Sequence, residues 1–237
     1  MEIKERLLRL REAIARWAER AGRRPEEVRL VLATKYAGVK ELRAALAAGE
    51  RCFGESRAQD LVAKTREIGS GEAEWHFIGR LQTNKVRQVV PLITLLQSLD
   101  RESLAREVSR HLQRREPGRT LDCLVEVNVA GEEAKAGLPP DEETVARFSY
   151  WAASLPGIRI AGLMALGPYP APEGEIRRAF SRLREIFQAL DRMRLPGVEM
   201  RHLSLGMSGD FHLAILEGAN MVRIGSLVFR GGEIPQP

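Results

Sequence analysis

The feature that most constrains this chain is its rhythm. Eight short apolar runs alternate with longer amphipathic ones from end to end, at 28–35 (VRLVLATK), 51–53 (RCF), 75–78 (WHFI), 92–98 (LITLLQS), 121–129 (LDCLVEVNV), 158–166 (IRIAGLMAL), 200–205 (MRHLSL) and 221–228 (MVRIGSLV). Helical spacing predicts helices over 3–21, 39–48, 55–68, 83–90, 101–115, 141–154, 174–193 and 210–217. Fully apolar strands that each pass into a helix need cover on both faces, which a parallel α/β sheet provides. Eight such units close into a (β/α)₈ TIM barrel, and 237 residues is close to the roughly 250 that such a barrel uses. The helix over 3–21 is then an extra N-terminal element. An open doubly wound sheet is the competing architecture, but no run is followed by GxGxxG. With no repeat and no Ser/Gly-rich linker, residues 1–237 are expected to be one domain; 167–174 (GPYPAPEG) is the most loop-like stretch and is placed at the barrel mouth.

Composition removes several classes of function. The net charge is +5, with 29% charged residues, but the two signs interleave along helices, as in RLRE and RESLARE, and form solvated faces rather than a basic stripe. Nucleic acid is therefore not an expected partner. No apolar run approaches the roughly 20 residues that cross a bilayer. The opening MEIKERLLRLREAIARW alternates charge with apolar residues, unlike a signal peptide, so a cytoplasmic protein is expected. Cys52 and Cys123 each sit in an apolar run and read as buried free thiols. His76, His111, His202 and His212 share no spacing with cysteines or carboxylates, so no metal site is expected; His76 and His202 read as satisfied core histidines.

Barrel active sites form where the strands end. Lys35 ends the first run on the face of Val31 and Ala33, at the rim of the interior. It is a lysine reaching solvent, a buried ion pair, or a desolvated amine able to form a Schiff base. In MVRIGS, Arg223 alternates with Val222 and Ile224, so its guanidinium points inward and needs a fixed acceptor. Gly225 and Ser226 follow it, and HLSLGMSGD (202–210) ends the seventh run in another glycine–serine turn opening a helix. Singly these turns are ordinary; together, after strands seven and eight, they match the place where barrels bind phosphate. A phosphate there, an aldehyde at Lys35 and an aromatic ring near Arg223 are demands that pyridoxal 5′-phosphate satisfies.

The segments LATK (32–35), FGESRAQD (53–60), WHFIGRLQTNK (75–85), VEVNVAGEEAKAG (125–137), GLMAL (162–166), LSLGMSGDFHLAILEG (203–218) and VRIGSLVF (222–229) together resemble the pyridoxal phosphate homeostasis protein family. The resemblance implies a barrel of the alanine racemase N-terminal-domain type, with pyridoxal 5′-phosphate held as a Schiff base on Lys35. It implies phosphate contacts from Met207, Ser208, Gly225 and Ser226, and an arginine at Arg223 facing the pyridine nitrogen. It further implies a non-catalytic carrier, expected here to be a monomer, that buffers the cofactor and delivers it to apo forms of pyridoxal phosphate enzymes. The chain departs from the family's FGEN: Ser56 stands where an asparagine is usual, and can still make one hydrogen bond near the ring. Asn84 matches the family's LQ-x-NK, as a ligand or as a helix cap. Glu126 and Asn128 share inward parity on the fifth run, and Lys135 in the following loop matches the family's KxG.

The alternative is a pyridoxal phosphate enzyme such as an amino-acid racemase, which needs a second acid–base group opposite the lysine. Tyr36 is turned away by strand parity and Tyr150 lies in a helix, which leaves Tyr169. A Schiff-base aldolase acting on sugar phosphates is a third possibility.

Overall fold

The computed structural model describes residues 2–69, 71–131 and 136–237. Lys135 lies outside them. The strands β1 (Arg29–Ala33), β2 (Cys52–Glu55), β3 (Glu74–Phe77), β4 (Leu95–Leu99), β5 (Leu121–Glu126), β6 (Ile158–Met164), β7 (Val198–Ser204) and β8 (Met221–Ile224) follow one another around a closed parallel barrel. The helices α1 (Ile3–Arg20), α2 (Val39–Ala47), α3 (Ala58–Ile68), α4 (Val86–Val89), α5 (Glu102–Arg115), α6 (Glu142–Ala153), α7 (Glu173–Met193) and α8 (Phe211–Leu216) surround it. The helices between strands turn apolar faces toward the barrel; on α7 the stripe is Ile176, Ala179, Phe180, Leu183, Ile186 and Leu190. The extra helix α1 buries Leu7, Leu10, Ala13, Ile14 and Trp17, and is tied to the far end of the chain: Arg6 donates to the Val228 carbonyl and the Trp17 indole to that of Pro235, both at 3.0 Å. Among the described residues, no helix is long and apolar enough to cross a membrane.

The strand boundaries differ from the sequence expectation in two places that matter: β1, expected through Lys35, stops at Ala33, and β8 also stops short. The eighth run, expected as strand through 228, stops at Ile224; Ser226–Phe229 is a short helix, α9. The cause is Gly225. A Cβ there would run into the Ala33 carbonyl, so only glycine lets the end of β8 close on the end of β1 before the chain turns. Val228 and Phe229 then donate to the Gly225 carbonyl at 3.0 and 2.9 Å. Leu227 and Val228 stay buried, so the turn has the apolar content of a strand. Gly225→Ala should cost about 2 kcal/mol, as overpacking against rigid structure does; urea unfolding would show it, and an unchanged midpoint would mean that this approach is not tight.

Inside the barrel, Val31, Cys52, Leu95, Leu124, Ala161, Met164 and Met221 form a compact apolar cluster. A polar column runs beside it. Arg223 donates to the Ser204 hydroxyl, which donates to Gln97 Oε1 at 2.7 Å. Gln97 Nε2 donates to His76 Nδ1 at 2.9 Å, and His76 Nε2 meets Glu74 Oε1 at 2.9 Å. Glu74 closes the column on Arg29. Each buried polar group of this column thus has a partner, the condition for burying it cheaply.

Candidate functional site

The C-terminal mouth of the barrel gathers most of the residues singled out by sequence. Arg223 is buried beneath it, held by Ser204 and, at 2.8 Å, by the carbonyl of Ala165. Burial lowers its pKa to about 10, against the raising influence of Asp210 and Glu126, so it remains a cation at neutral pH. Because Gly225 presses on Ala33, Ser226 at the start of α9 lies next to the turn that carries Lys35. The second turn is built by Asp210, whose carboxylate accepts the Met207 amide at 2.6 Å. Gly206 there adopts φ +85°, and a Cβ would strike Ala214 and Phe211, so this turn also depends on a glycine. Met207 is exposed and Ser208 half-buried. Among the described residues, neither the Ser208 nor the Ser226 hydroxyl has a side-chain or backbone partner.

Lys35 is placed differently from the expectation of a desolvated rim amine. Strand β1 stops at Ala33, Lys35 falls in the following turn, and its side chain is exposed. Strand parity ends with the strand, so alternation with Val31 no longer fixes where it points. Its amine lies 5.3 Å from the centre of the Tyr36 ring, whose face is covered by the Arg230 guanidinium at 3.4 Å. Ser56 sits just past β2, half-buried, its backbone against Gly79. Asn84 is exposed in the 3-10 turn Thr83–Lys85; that turn's N-cap is Gln82, so Asn84 does not cap it. Glu126 ends β5 with its side chain buried and, among the described residues, its Oε2 has no hydrogen-bond partner. Burial, reinforced by Asp100 and opposed by Arg223, Arg80 and Arg101, raises its pKa to about 7. Asn128 lies beyond the strand, its backbone N–H donating to the Leu138 carbonyl at 2.8 Å.

Two groups of residues were not found from sequence. Glu55 and Lys64 are buried together under the Lys35 turn. Lys64 donates to Glu55 and, at 2.7 Å, to the Thr34 carbonyl; the Thr34 hydroxyl donates to Glu55 at 2.7 Å, and the Ser56 and Arg57 amides donate to the other carboxylate oxygen at 2.7 and 3.2 Å. One carboxylate therefore clamps the loops that carry Lys35 and Ser56. Burial alone would raise its pKa, but these bonds and the Lys64 charge hold it below the usual carboxylate range. The signal was available: Lys64 falls on the buried stripe Leu61–Lys64–Ile68 of α3, where a lysine needs a partner.

The second group corrects the expectation that the histidines share no spacing with cysteine or carboxylate. Cys52, Glu74 and His76 converge at the base of the barrel, their ligand-type atoms all within 4.8 Å. Cys52 and Glu74 are register partners on β2 and β3, and Glu74 and His76 face the same way on β3. Both nitrogens of His76 are engaged in the polar column, so it is a satisfied core histidine, and hydrogen bonding accounts for the convergence. Burial pushes the Cys52 thiol up to about 12, so it is a buried thiol, as is Cys123. His202, expected to be a satisfied core residue, is only half-buried and makes no side-chain hydrogen bond among the described residues; burial lowers its pKa to about 4.

No family model matches the chain. Comparison with characterised proteins is decisive. A pyridoxal phosphate homeostasis protein of Aquifex aeolicus is 40% identical over 225 residues, covering 95% of this chain and 96% of that one. The chain belongs to the pyridoxal phosphate homeostasis protein family. Among solved structures, that of PipY from Synechococcus elongatus with pyridoxal phosphate bound superposes with a TM-score of 0.80 at 30% identity, covering 96% of this chain and all of that one (100%). Alanine racemase from Corynebacterium glutamicum shares the fold alone, with a TM-score of 0.67 at 18% identity over 95% of this chain and 61% of the racemase. The closed (β/α)₈ barrel is thus the architecture that the alternation predicts, and its alanine racemase type, with α1 added, is the one that the resemblance implies.

The mouth of this family member fits such a cofactor on its own terms. Among the described residues, the hydroxyls of Ser208 and Ser226 are available to a phosphate, Arg223 is a fixed cation, Lys35 is an exposed amine, and the Glu126 Oε2 is a buried polar atom without a partner.

Proposed function

We propose that this chain binds pyridoxal 5′-phosphate at the barrel mouth and serves its homeostasis, holding the cofactor and handing it on without turning over a substrate. One observation carries the proposal: the close approach of Gly225 to Ala33 sets Ser226 next to the turn of Lys35, above the buried Arg223 of the same strand end. Lys35 would hold the cofactor covalently as a Schiff base. Ser208, Ser226 and the backbone at Met207 and Gly225 would hold its phosphate, with Ser56 and Asn84 as neighbours of the ring. When bound, the cofactor supplies an aldehyde for the amine and an electron-accepting ring. Arg223 would face the ring nitrogen, and a cation beside it disfavours protonation there. A ring kept neutral withdraws electrons poorly.

The placement of the tyrosines supports the same reading. Tyr169 is 83% exposed and Tyr36 is 42% exposed, packed under Arg230, so neither is set as the second acid–base group that racemisation needs. We take residues 1–237 as one cytoplasmic domain acting as a monomer, with apo forms of pyridoxal phosphate enzymes as recipients.

Purified protein loaded with the cofactor should absorb in the visible, lose that band on borohydride reduction, and fail to form it as Lys35→Ala. A band that persists in the variant would remove Lys35 from the site. Incubation with amino acids in D₂O should give no α-proton exchange at racemase-like rates; rapid exchange would replace the carrier reading with the enzyme one.

A further inference from the structure

Beside the mouth lies a cleft of about 720 Å³ that the cofactor reading leaves unused. Its walls come from the loops after β2, β3 and β4, and it meets the residues assigned to the cofactor only at Ser56. Four cations line it, Arg57, Arg80, Lys85 and Arg101, and no carboxylate does. Gln59, Gln82 and Thr83 add uncharged donors over a floor of Phe77 and Leu81. The volume lies in the range of small-molecule sites.

The charges are only partly compensated. Arg57 has Asp60 at 3.9 Å, at the exposed surface, where such a pair is weak. Asp100 is buried behind the cleft and shared between Arg101 and Arg80, the latter at 3.7 Å. Lys85 has no ion-pair partner among the described residues. Arg101 is also fixed by a 2.6 Å bond to the Leu81 carbonyl, so one guanidinium is preorganised and its neighbours are free to close on a ligand. The motif WHFIGRLQTNK supplies Phe77, Arg80, Leu81, Gln82, Thr83 and Lys85, which gives a role to residues that the cofactor does not need.

We propose that this cleft binds a second small molecule bearing at least two phosphate or carboxylate groups, next to the cofactor rather than in its place. Bidentate guanidinium groups suit such oxygens, and a lysine adds a movable point charge. The occupant would sit against Ser56, where it can sense whether the mouth is filled.

Isothermal titration with inorganic pyrophosphate tests this, with succinate as a second arm and each titration run with and without saturating pyridoxal phosphate. Binding should persist when the mouth is saturated, weaken with added salt, and fall about tenfold or more in Arg80→Gln and in Lys85→Gln. Lys40→Gln, which removes the same charge from an exposed site on α2, should bind as wild type does. The arm that binds identifies the preferred oxyanion. Absence of heat in both arms, competition by pyridoxal phosphate, or an equal loss in Lys40→Gln would each overturn the proposal. Saturation of the mouth is read separately from the visible band, so failure of the cofactor reading is distinguishable from failure of this one.

Discussion

The Lys64→Met protein is expected to unfold with about 3–5 kcal/mol less free energy than the wild type, the usual cost of leaving a buried charge alone. Glu55 is fully buried, and Lys64 supplies its only cationic partner among the ion pairs of the described residues. Methionine fills the space of the lysine stem but donates nothing, so the carboxylate must then lose its charge or draw in water. Removing both partners, as Glu55→Met with Lys64→Met, should recover much of that loss, because no charge is left unpaired. The two variants differ in a second way. In the double variant the Thr34 carbonyl and the Ser56 and Arg57 amides lose their anchor, and the Thr34 hydroxyl keeps only the Gly54 carbonyl at 3.1 Å. The protein should then be stable yet hold the Lys35 turn poorly, so cofactor affinity should fall while the unfolding midpoint largely returns. Urea unfolding and a spectroscopic titration with pyridoxal phosphate read the two effects separately. A single variant within about 1 kcal/mol of wild type, the range of an exposed pair, would show that this pair is in fact solvated.

That clamp also shows what a sequence can and cannot disclose. The barrel was legible because strand and helix periods leave different patterns of burial, and eight repetitions of the pair allow few architectures. The inward course of Arg223 was legible for the same reason, since Met221 and Arg223 share a strand face and the strand is regular there. Lys35 and Ser226 lie where regularity stops, and there parity misleads: Lys35 is exposed in a turn, and SLVF is a helical turn with the apolar content of a strand. Partners across strands were not legible at all. Cys52, Glu74 and His76 meet because β2 and β3 pair in one register, and a register is set by the whole sheet and its loops. The same holds for the cleft, whose cations come from three separate loops. Each is unremarkable in its own segment.

Glu126 provides the sharpest pH test. Its carboxyl has a pKa near 4.5 in the unfolded chain and about 7 when folded, raised mainly by burial and further by Asp100. The sign follows from which state holds the proton more tightly. Below pH 4.5 both states are protonated and the group contributes nothing relative to a neutral side chain. Between the two values the unfolded chain ionises first and is favoured, so folded stability falls as pH rises. Above pH 7 the deficit is complete, at about 3 kcal/mol for a shift of this size. Glu126→Gln has nearly the shape of the protonated acid and cannot ionise. Without cofactor, it should lie within about 1 kcal/mol of wild type at pH 5 and exceed it by about 3 kcal/mol at pH 8, measured by urea unfolding at both values. The effect is separable from Glu55, Glu74 and Asp122, whose lowered pKa values make stability fall with acid in both proteins alike. Stability curves that run parallel from pH 5 to pH 8 would mean that the Glu126 carboxyl is ionised and paired in the folded state. If the curves converge at acid pH, the mouth holds a group that keeps its proton near neutrality. Loading with pyridoxal phosphate should then release or fix that proton, because a ligand beside Arg223 and Glu126 changes the field both groups feel. Proton uptake measured during cofactor titration, compared between wild type and Glu126→Gln, would place the carboxyl at the cofactor, and identical uptake in the two would place it elsewhere.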